Sequence, residues 1–533
     1  MDIRFLSAKT ESKLSQQTQL DAIVTKPNGS VLTVPCFWDG ERNWGFRYAS
    51  SELGVHTFRT RCADPDDAGL HDIGGEITIT PYSGEHPLYL HGPVQISSNH
   101  RCFQHVDGEP FFWLGDTWWM GLCNRLSWEG FQFLTEDRKR KGFTVVQIVA
   151  GLYPDMPPFD ERGANEEGFP WDEGYVHIRP EYFRAADRRL FHLVESGLVP
   201  CIVGAWGYFM SWMGVDKLKR HWRNLIARYG ALPVIWCVAG EANLPYYLTE
   251  GFPFDDREQV KKWSEVARYV REIDPFHRPL SIHPTGLGRL SARGAIDDET
   301  LLDFDMLQTG HGLREVLPPT IRTVRESYHS SPIMPVINSE VCYEALLDKI
   351  PADIQRLMFW GCILNGAAGH TYGANGIWQV NRRDLPHGAS PHGGDYGHLP
   401  WEDAMNLPGS RQLAMAKSLL TKYPWFDFEP HPEWVAYAKE EVTKEENEPD
   451  EIAKFEVPYA AGIPMKVRMI YVPQRKPIEV RGIEPNVKYR MSLFDPESGE
   501  SWDVGLFLPD SNGKYVCHPP EFCERDWVAV LEM

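Results

Sequence analysis

The stretch Pro233-Val-Ile-Trp-Cys-Val-Ala-Gly-Glu-Ala-Asn243 is an apolar run that ends in a carboxylate. A short run rich in Val and Ile predicts a strand buried on both faces, and the Gly240-Glu241 pair that closes it predicts a strand end where backbone and acid can meet a ligand. A second stretch, Pro335-Val-Ile-Asn-Ser-Glu340, has the same design. Glu241 and Glu340 are therefore the first candidates for a functional pair.

Length and composition limit the classes of protein that the sequence can belong to. A chain of 533 residues is too long for one hydrophobic core, so two or three domains are expected. The formal net charge of −20 argues against unaided attraction to nucleic acid or to an anionic membrane surface, and it favours a neutral substrate. The ten Cys include no Cys-x-x-Cys pair, so buried free thiols are expected instead of a zinc ribbon or a disulfide framework.

No targeting segment is visible in the sequence. The first residues, Met-Asp-Ile-Arg-Phe-Leu-Ser, lack the apolar core of a signal peptide, and nowhere do about 20 apolar residues run together. The sequence as given predicts a soluble cytoplasmic protein, or a secreted one if a leader was trimmed.

The hydrophobic pattern changes twice along the chain. Residues 1–92 alternate apolar and polar positions between turn residues, which predicts a small β-sandwich. From about residue 110 strands alternate with helix-length amphipathic segments, the pattern of a parallel sheet. Residues 426–533 return to short alternating strands and predict a second β-sandwich, in which the acidic run 439–451 is expected to be a solvated loop.

Eight strand-like segments can be counted in the central region. Eight units fit a closed barrel better than an open doubly wound sheet, which usually has about five to seven strands. The predicted fold class is α/β, a (β/α)8 TIM barrel flanked by two small β-sandwich domains, with domains at 1–92, 93–425 and 426–533. The flanking domains could pack on the barrel or on a neighbouring subunit, so a homo-oligomer is left open.

The two glutamates acquire a chemical meaning within this fold. In a TIM barrel the active site lies at the C-terminal ends of the strands, so Glu241 after strand four and Glu340 after strand seven should share one pocket. Cleavage of a glycosidic bond needs one carboxyl group to protonate the leaving oxygen and another to attack the anomeric carbon or activate water. Each acid alone could form a salt bridge at the rim, but two acids after two matched strands favour catalysis.

Polar and aromatic side chains follow the other predicted strands, as a sugar pocket requires. Asp116 is the best of these candidates, because a carboxylate at a strand end can bind vicinal hydroxyl groups. Each of the others could equally be a packing residue. The candidate substrate-binding residues at strand ends are Asp116, Trp118, Gln147, Trp206, Asn243, His283, His311 and His370.

The sequence leaves two other functions possible. His283 and His311 could be ligands in a metal-dependent amidohydrolase, but that design also needs a His-x-His pair where this chain has Gly115-Asp-Thr-Trp118. The second alternative is a non-catalytic carbohydrate-binding protein on a degenerate barrel, against which the presence of both glutamates argues. We expect no metal and no cofactor.

Five sequence blocks resemble the apiosidase-like glycoside hydrolases, and the resemblance covers nearly the whole chain. That family has a TIM barrel, often preceded by a small β-sandwich and followed by a collagen-binding-like one. The last block is the most specific, and together the blocks add Tyr343, Tyr372 and Trp378 to the candidate substrate-binding residues. The blocks are Phe112-Trp-Leu-Gly-Asp-Thr-Trp118, Lys141-Gly-Phe-Thr-Val-Val-Gln147, the Trp236 strand ending in Gly-Glu, Ser339-Glu-Val-Cys-Tyr-Glu344 and Gly366-Ala-Ala-Gly-His-Thr-Tyr-Gly-Ala-Asn-Gly-Ile-Trp378.

The resemblance implies a retaining glycoside hydrolase that acts on a plant or microbial oligosaccharide or polysaccharide, with Glu241 as acid/base and Glu340 as nucleophile. The expected partner is thus a carbohydrate substrate, and neither nucleic acid nor a membrane. In the family the strand-four motif often ends in Gly-Asp, where this chain has Gly240-Glu241, so no particular substrate is implied. Nothing in residues 430–533 indicates collagen.

Overall fold

The computed structural model describes residues 1–9, 18–250, 255–438 and 450–533. A sheet of eight parallel strands lies at the centre, in the order β5-β4-β3-β2-β1-β8-β7-β6. The two strands at the ends of this order are linked by Asp303 N, which donates to Leu280 O (2.9 Å), and by Ser281 Oγ, which donates to Phe304 O (2.7 Å), so the barrel is nearly closed. The strands are β1 (Trp113–Thr117), β2 (Val145–Val149), β3 (Val199–Val203), β4 (Ile235–Cys237), β5 (Leu280–Ser281), β6 (Asp305–Gly310), β7 (Val336–Val341) and β8 (Gly369–Tyr372).

Amphipathic helices cover the barrel. The side chain of Ser127 begins the first of them by accepting a hydrogen bond from Gly130 N. Between β5 and β6 the described chain forms the 3-10 turns Ala292–Ala295 and Glu299–Leu301 in place of a long helix. The long helices are α1 (Trp128–Arg140), α2 (Pro180–Glu195), α3 (Phe209–Tyr229), α4 (Arg257–Ile273), α5 (Leu317–His329), α6 (Ala352–Ile363) and α7 (Pro408–Leu420), and shorter ones span Pro87–Leu90 and Trp401–Ala404.

The N-terminal region forms two sheets that enclose their own core, which contains Leu20 and Phe46. A small sheet leads from this sandwich into β1. The first sheet contains Val31–Pro35, Leu20–Thr25, Gly54–Cys62 and Gly74–Ile79, the second Asp2–Leu6, Asn43–Arg47 and Phe37–Trp38, and the linking sheet Val94–Ile96, Phe103–His105 and Pro110–Phe111.

The C-terminal region also forms two sheets, and the larger one packs against the barrel. Tyr471 stacks on Trp360 of α6 with ring centroids 5.8 Å apart, and buried Arg356 of α6 forms an ion pair with buried Asp526. The barrel and this sheet therefore share one hydrophobic core. The larger sheet contains Glu429–Pro430, Tyr459–Ile463, Val467–Val472, Trp527–Glu532, Tyr489–Phe494 and Ser501–Phe507. The smaller sheet contains Val435–Tyr437, Ile478–Val480 and Tyr515–Cys517.

The predicted fold class, a TIM barrel flanked by two β-sandwiches, is confirmed. The domain limits at 92/93 and 425/426 stay predictions, and of the acidic run 439–451 residues 439–449 lie outside the described residues. All ten cysteines are buried and none is in a disulfide. No helix within the described ranges has the length and apolar character needed to cross a membrane.

Candidate active site

A cavity of about 290 Å³ at the C-terminal ends of the barrel strands contains both predicted glutamates in its wall. Aromatic rings form much of the lining, which suits the apolar faces of sugars. Its described lining includes three carboxyl groups and neither Lys nor Arg. The lining residues are Trp119, Pro154, Asp155, Trp206, Glu241, Leu244, Tyr247, Leu287, Gln308, His311, Glu340, Tyr343, Leu346, Trp378, His392 and Tyr396.

Glu241 follows β4 in a left-handed backbone conformation (φ 41°), which is uncommon for a residue other than Gly. Its Oε1 accepts a hydrogen bond from Gln308 Nε2 (3.0 Å), and its Oε2 accepts one from Trp206 Nε1 (3.2 Å). Burial and the neighbouring Glu340 carboxylate raise the pKa of Glu241 to about 8, although the two donors act in the opposite direction. The raised pKa favours the protonated form of Glu241 near neutral pH.

The pKa of Glu340, in β7, is shifted in the opposite direction, chiefly because His311 donates a hydrogen bond to its carboxylate. His311 Nδ1 accepts a hydrogen bond from Tyr343 N (3.3 Å), so the neutral ring carries its proton on Nε2 and donates to Glu340 Oε1 (2.9 Å). His283 Nδ1 donates to Pro284 O, and its Nε2 lies 3.5 Å from Glu340 Oε2. Burial alone would raise the pKa of Glu340, but the hydrogen bond from His311 and the two imidazoles hold it below its ordinary value.

A β-bulge in β7 aims Glu340 into the cavity. Leu307 of β6 pairs with Asn338, and the next residue, Gln308, pairs with Glu340, so Ser339 is an extra residue in β7. Such a bulge shifts the in-and-out alternation of side chains along a strand. The register also places Gln308, the donor to Glu241, directly beside Glu340, so one strand pair sets the position of both acids.

Several residues predicted from the sequence lie together at this site. Trp206, His311, Tyr343 and Trp378 line the cavity with the two glutamates, and His283 contacts Glu340. The indole N–H of Trp378 has no hydrogen-bond partner in the described part of the chain, although the residue is only 4% exposed.

Asp116 and Trp118, two predicted substrate-binding residues, are not among the residues that line the cavity with the two glutamates. The fully buried carboxylate of Asp116 accepts hydrogen bonds from Arg138 Nε (2.5 Å) and Trp118 Nε1 (2.7 Å). Alternate side chains of a barrel strand point inward and outward, and Asp116 faces helix α1, where it neutralises Arg138. The neighbouring Trp119 lines the cavity instead.

Four further candidates are also absent from the cavity lining. Gln147 Nε2 donates to Ser339 O (3.1 Å) inside the barrel, and the Tyr372 hydroxyl donates to Glu344 Oε2 (2.5 Å) on its outer side. Asn243 is 3% exposed, and burial lowers the pKa of His370 to about 3, so this histidine is neutral. Apolar runs predict where the strands end, but they do not show which way a side chain points.

Sequence reasoning missed Asp155, on the loop after β2, and Gln308. Asp155 Oδ1 accepts hydrogen bonds from Ser390 Oγ (2.7 Å) and from the Tyr396 hydroxyl (3.4 Å), and burial raises the pKa of this carboxyl group. Gln308 could have been found as an amide near the end of an apolar strand. Asp155 gave no signal, because it lies in a loop rich in Pro and Gly whose shape cannot be inferred from its sequence.

The histidines proposed for the metal alternative, His283 and His311, both face Glu340. Across the described residues no group of three His, Cys, Asp or Glu side chains is arranged to hold a metal ion.

Comparison with known proteins identifies the family. Residues 97–427, more than half of the chain, match the family model "Apiosidase-like, catalytic domain", and residues 2–63 match a domain of unknown function, DUF5060. No curated protein sequence matches the chain. Solved structures that share its fold include a glycoside hydrolase with 23% sequence identity and a TM-score of 0.68; the match covers 84% of this chain and 98% of that one. Another is a glycoside hydrolase family 5 protein from Bacteroides vulgatus with 21% identity and a TM-score of 0.68, and the match covers 84% of this chain and 95% of that one. The chain belongs to the apiosidase-like family and is a glycosidase.

Proposed function

We propose that this glycosidase hydrolyses its substrate with retention of anomeric configuration, with Glu340 as nucleophile and Glu241 as acid/base. The observation that carries the proposal is the contrast between the two carboxyl groups of one cavity. His311 donates to Glu340 and favours its ionised form, whereas Glu241 is protonated near neutral pH. The first step of a retaining mechanism needs one ionised and one protonated acid.

The two steps follow from these protonation states. Glu340 attacks the anomeric carbon while the glycosidic C–O bond breaks and Glu241 transfers its proton to the leaving oxygen. The resulting ester removes the negative charge of Glu340, which is one cause of the raised pKa of Glu241, so Glu241 becomes a stronger acid. The ionised Glu241, held by Gln308 and Trp206, then takes a proton from the water that releases the sugar.

The charge of the cavity favours a neutral sugar from a plant or microbial oligosaccharide. Ionised Glu340, together with the lack of Lys or Arg in the described lining, would repel a uronate or a sulfated sugar. Trp119, Trp206 and Trp378 offer rings for stacking. Asp155 is the third carboxyl group, and it can accept hydrogen bonds from sugar hydroxyls.

The proposal can be tested by screening aryl glycosides and oligosaccharides against the whole protein and following the configuration of the first product by NMR. We expect the product to appear first with the anomeric configuration of the substrate. Glu340→Gln should lower kcat by about a thousandfold or more, because the nucleophile is lost. Glu241→Gln should reduce activity most for substrates with poor leaving groups, and Glu315→Gln, at an exposed position outside the cavity lining, is the matched control.

An inverted first product would contradict the retaining mechanism. An active Glu340→Gln variant would contradict the assignment of the nucleophile. If no substrate is turned over and both Gln variants bind sugars as the parent does, the barrel is a sugar-binding module.

A further inference from the structure

The long loop after β8, residues 373–400, crosses the mouth of the barrel; we call it the β8 loop. β4 and β8 lie on opposite sides of the barrel, because three strands separate them in either direction around the sheet. His392 of the β8 loop nevertheless packs edge-to-face on Tyr247 of the loop after β4, with ring centroids 5.3 Å apart. The β8 loop therefore reaches from one side of the barrel to the other above the strand ends.

The β8 loop is also fixed to the loop after β2. Ser390 Oγ donates to Asp155 Oδ1 (2.7 Å), and Arg162 Nη1 donates to Ala389 O (3.0 Å) and to His387 O (3.2 Å). Asp155 and Arg162 both belong to the loop after β2. These hydrogen bonds hold the β8 loop over the β2 side of the cavity and close that side.

The cavity opens toward β5 instead. Leu287, on the loop after β5, lines the cavity and is 62% exposed, whereas Asp155 on the β2 side is 7% exposed. At about 290 Å³ the cavity is at the small end of ligand sites, which range over about 300–1,000 Å³. Its described lining is therefore that of a pocket with a closed β2 side, and it suits a single sugar and not a chain of them.

We propose that the enzyme attacks only the sugar at the non-reducing end of a chain and releases it as a monosaccharide. This inference rests on the proposed retaining function. The sugar that Glu340 attacks can be linked to neighbours through its anomeric oxygen and through its other hydroxyl groups. The anomeric oxygen carries the leaving group, which extends through the opening toward β5. The closed β2 side leaves no room for a further sugar on the other hydroxyls, so the attacked sugar is the terminal one.

The test uses a tetrasaccharide of the sugar and linkage selected in the substrate screen, with a fluorescent label at its reducing end. A second, blocked form also carries a cyclic acetal on two hydroxyl groups of its terminal non-reducing sugar. We expect the labelled trisaccharide to be the first product of the open form, since one sugar leaves in each cycle. The blocked form should be hydrolysed at least a hundredfold more slowly, because its terminal sugar is too large for the pocket. Chromatography with fluorescence detection measures both results.

Arg162→Gln should widen the pocket, because the β8 loop loses both hydrogen bonds from the guanidinium group. The rate on the blocked form relative to the open form should rise at least tenfold. Arg382→Gln is the matched control, since Arg382 lies on the β8 loop, pairs with Asp384 of the same loop and does not line the cavity. Circular dichroism of each variant verifies folding.

A labelled monosaccharide or disaccharide as the first product, or equal rates on the open and blocked forms, would overturn the proposal and leave the retaining mechanism intact. An unchanged ratio of rates in the Arg162 variant, or an equal rise in the Arg382 variant, would show that the β8 loop does not close the pocket. Inverted configuration of the released sugar would contradict the retaining mechanism alone, because the size of the labelled product reports separately which sugar is attacked.

Discussion

Glu241 and Glu340 have identical side chains and opposite protonation states because their neighbours differ. Glu340 faces two imidazoles, one of which donates to it, whereas Glu241 faces the negative charge of Glu340. If the proton moved from Glu241 to Glu340, the negative charge would lie on Glu241, whose carboxylate receives no hydrogen bond from a histidine. The asymmetry is thus a property of the whole group of side chains.

The pH dependence of catalysis should report this asymmetry. Activity needs ionised Glu340 and protonated Glu241, so kcat/KM should rise through a pKa below the ordinary value of Glu and fall through one near 8. The Gln308 donor favours ionised Glu241, so Gln308→Leu should move the alkaline limb to higher pH. Gln95→Leu, remote from the cavity, is the control. An alkaline limb that stays in place or moves to lower pH would contradict the role of Gln308.

Asp155→Asn should lower kcat/KM about tenfold or more, mainly through KM, because a carboxylate that accepts from substrate hydroxyls is replaced by a weaker acceptor. Steady-state kinetics on the substrate found in the screen measures the effect. Glu167→Gln, an exposed change on the same loop, should leave both constants unchanged. Equal kinetics for the two variants would show that Asp155 only holds the loops together.

At the residue scale the sequence predicts the two acids but not all of their partners. Glu241 and Glu340 stand out because each ends an apolar run. His311 and Trp206 follow strands and are also predicted. Asp116 meets the same criterion and yet faces α1, since a single-residue shift along a strand reverses the direction of a side chain.

At the scale of elements, the loop after β3 packs against the end of β4, and each segment fixes the position of the other. Gly207 N donates to Gly240 O (2.7 Å), and Trp206 packs so closely on Gly240 that a Cβ there would lie 2.3 Å from the indole ring. Only a residue without a side chain lets Trp206 reach Glu241. The apolar run predicts the strand, but this close approach depends on two segments distant in sequence.

Gly240→Ala should therefore displace Trp206 and lower kcat at least tenfold, because Glu241 loses a hydrogen-bond donor and its position. Kinetics combined with tryptophan fluorescence would detect both effects. Gly294→Ala is the control, since the nearest atom to a Cβ there is 3.7 Å away. Unchanged kcat in the Gly240 variant would mean that Trp206 does not orient Glu241.

The presence of eight barrel strands was predictable from the sequence, and the bulge at Ser339 was not. Apolar runs and helical periodicity give the eight strands and most helices. An extra residue in β7 leaves no mark on that pattern, because Ser339 and Glu340 would alternate normally in a regular strand.

At the scale of the whole molecule, the C-terminal sandwich is part of the barrel's core. Arg356 of α6 donates to both carboxylate oxygens of Asp526 (3.0 and 2.8 Å), and both residues are buried. Removing one partner of a buried pair leaves an uncompensated charge. The sequence predicts the sandwich but cannot show that it packs on α6, since the two partners are 170 residues apart.

Asp526→Ala should lower the free energy of unfolding by about 3–5 kcal/mol, as measured by denaturant titration. Asp503→Ala, which removes an exposed pair with Arg490, should leave the free energy of unfolding almost unchanged. The double variant Arg356→Met, Asp526→Leu should recover much of the loss, because no buried charge remains unpaired. Similar values for the two single variants would show that the pair does not join the sandwich to the barrel.

The ten buried cysteines can report local unfolding of the protein in solution. They are distributed over the N-terminal sandwich, the barrel and the C-terminal sandwich, and burial raises the pKa of each thiol. An alkylating reagent reacts with exposed thiolate, so it modifies each region only when that region opens. Mass spectrometry of the alkylated peptides would then give the order in which the three regions open, without any introduced label.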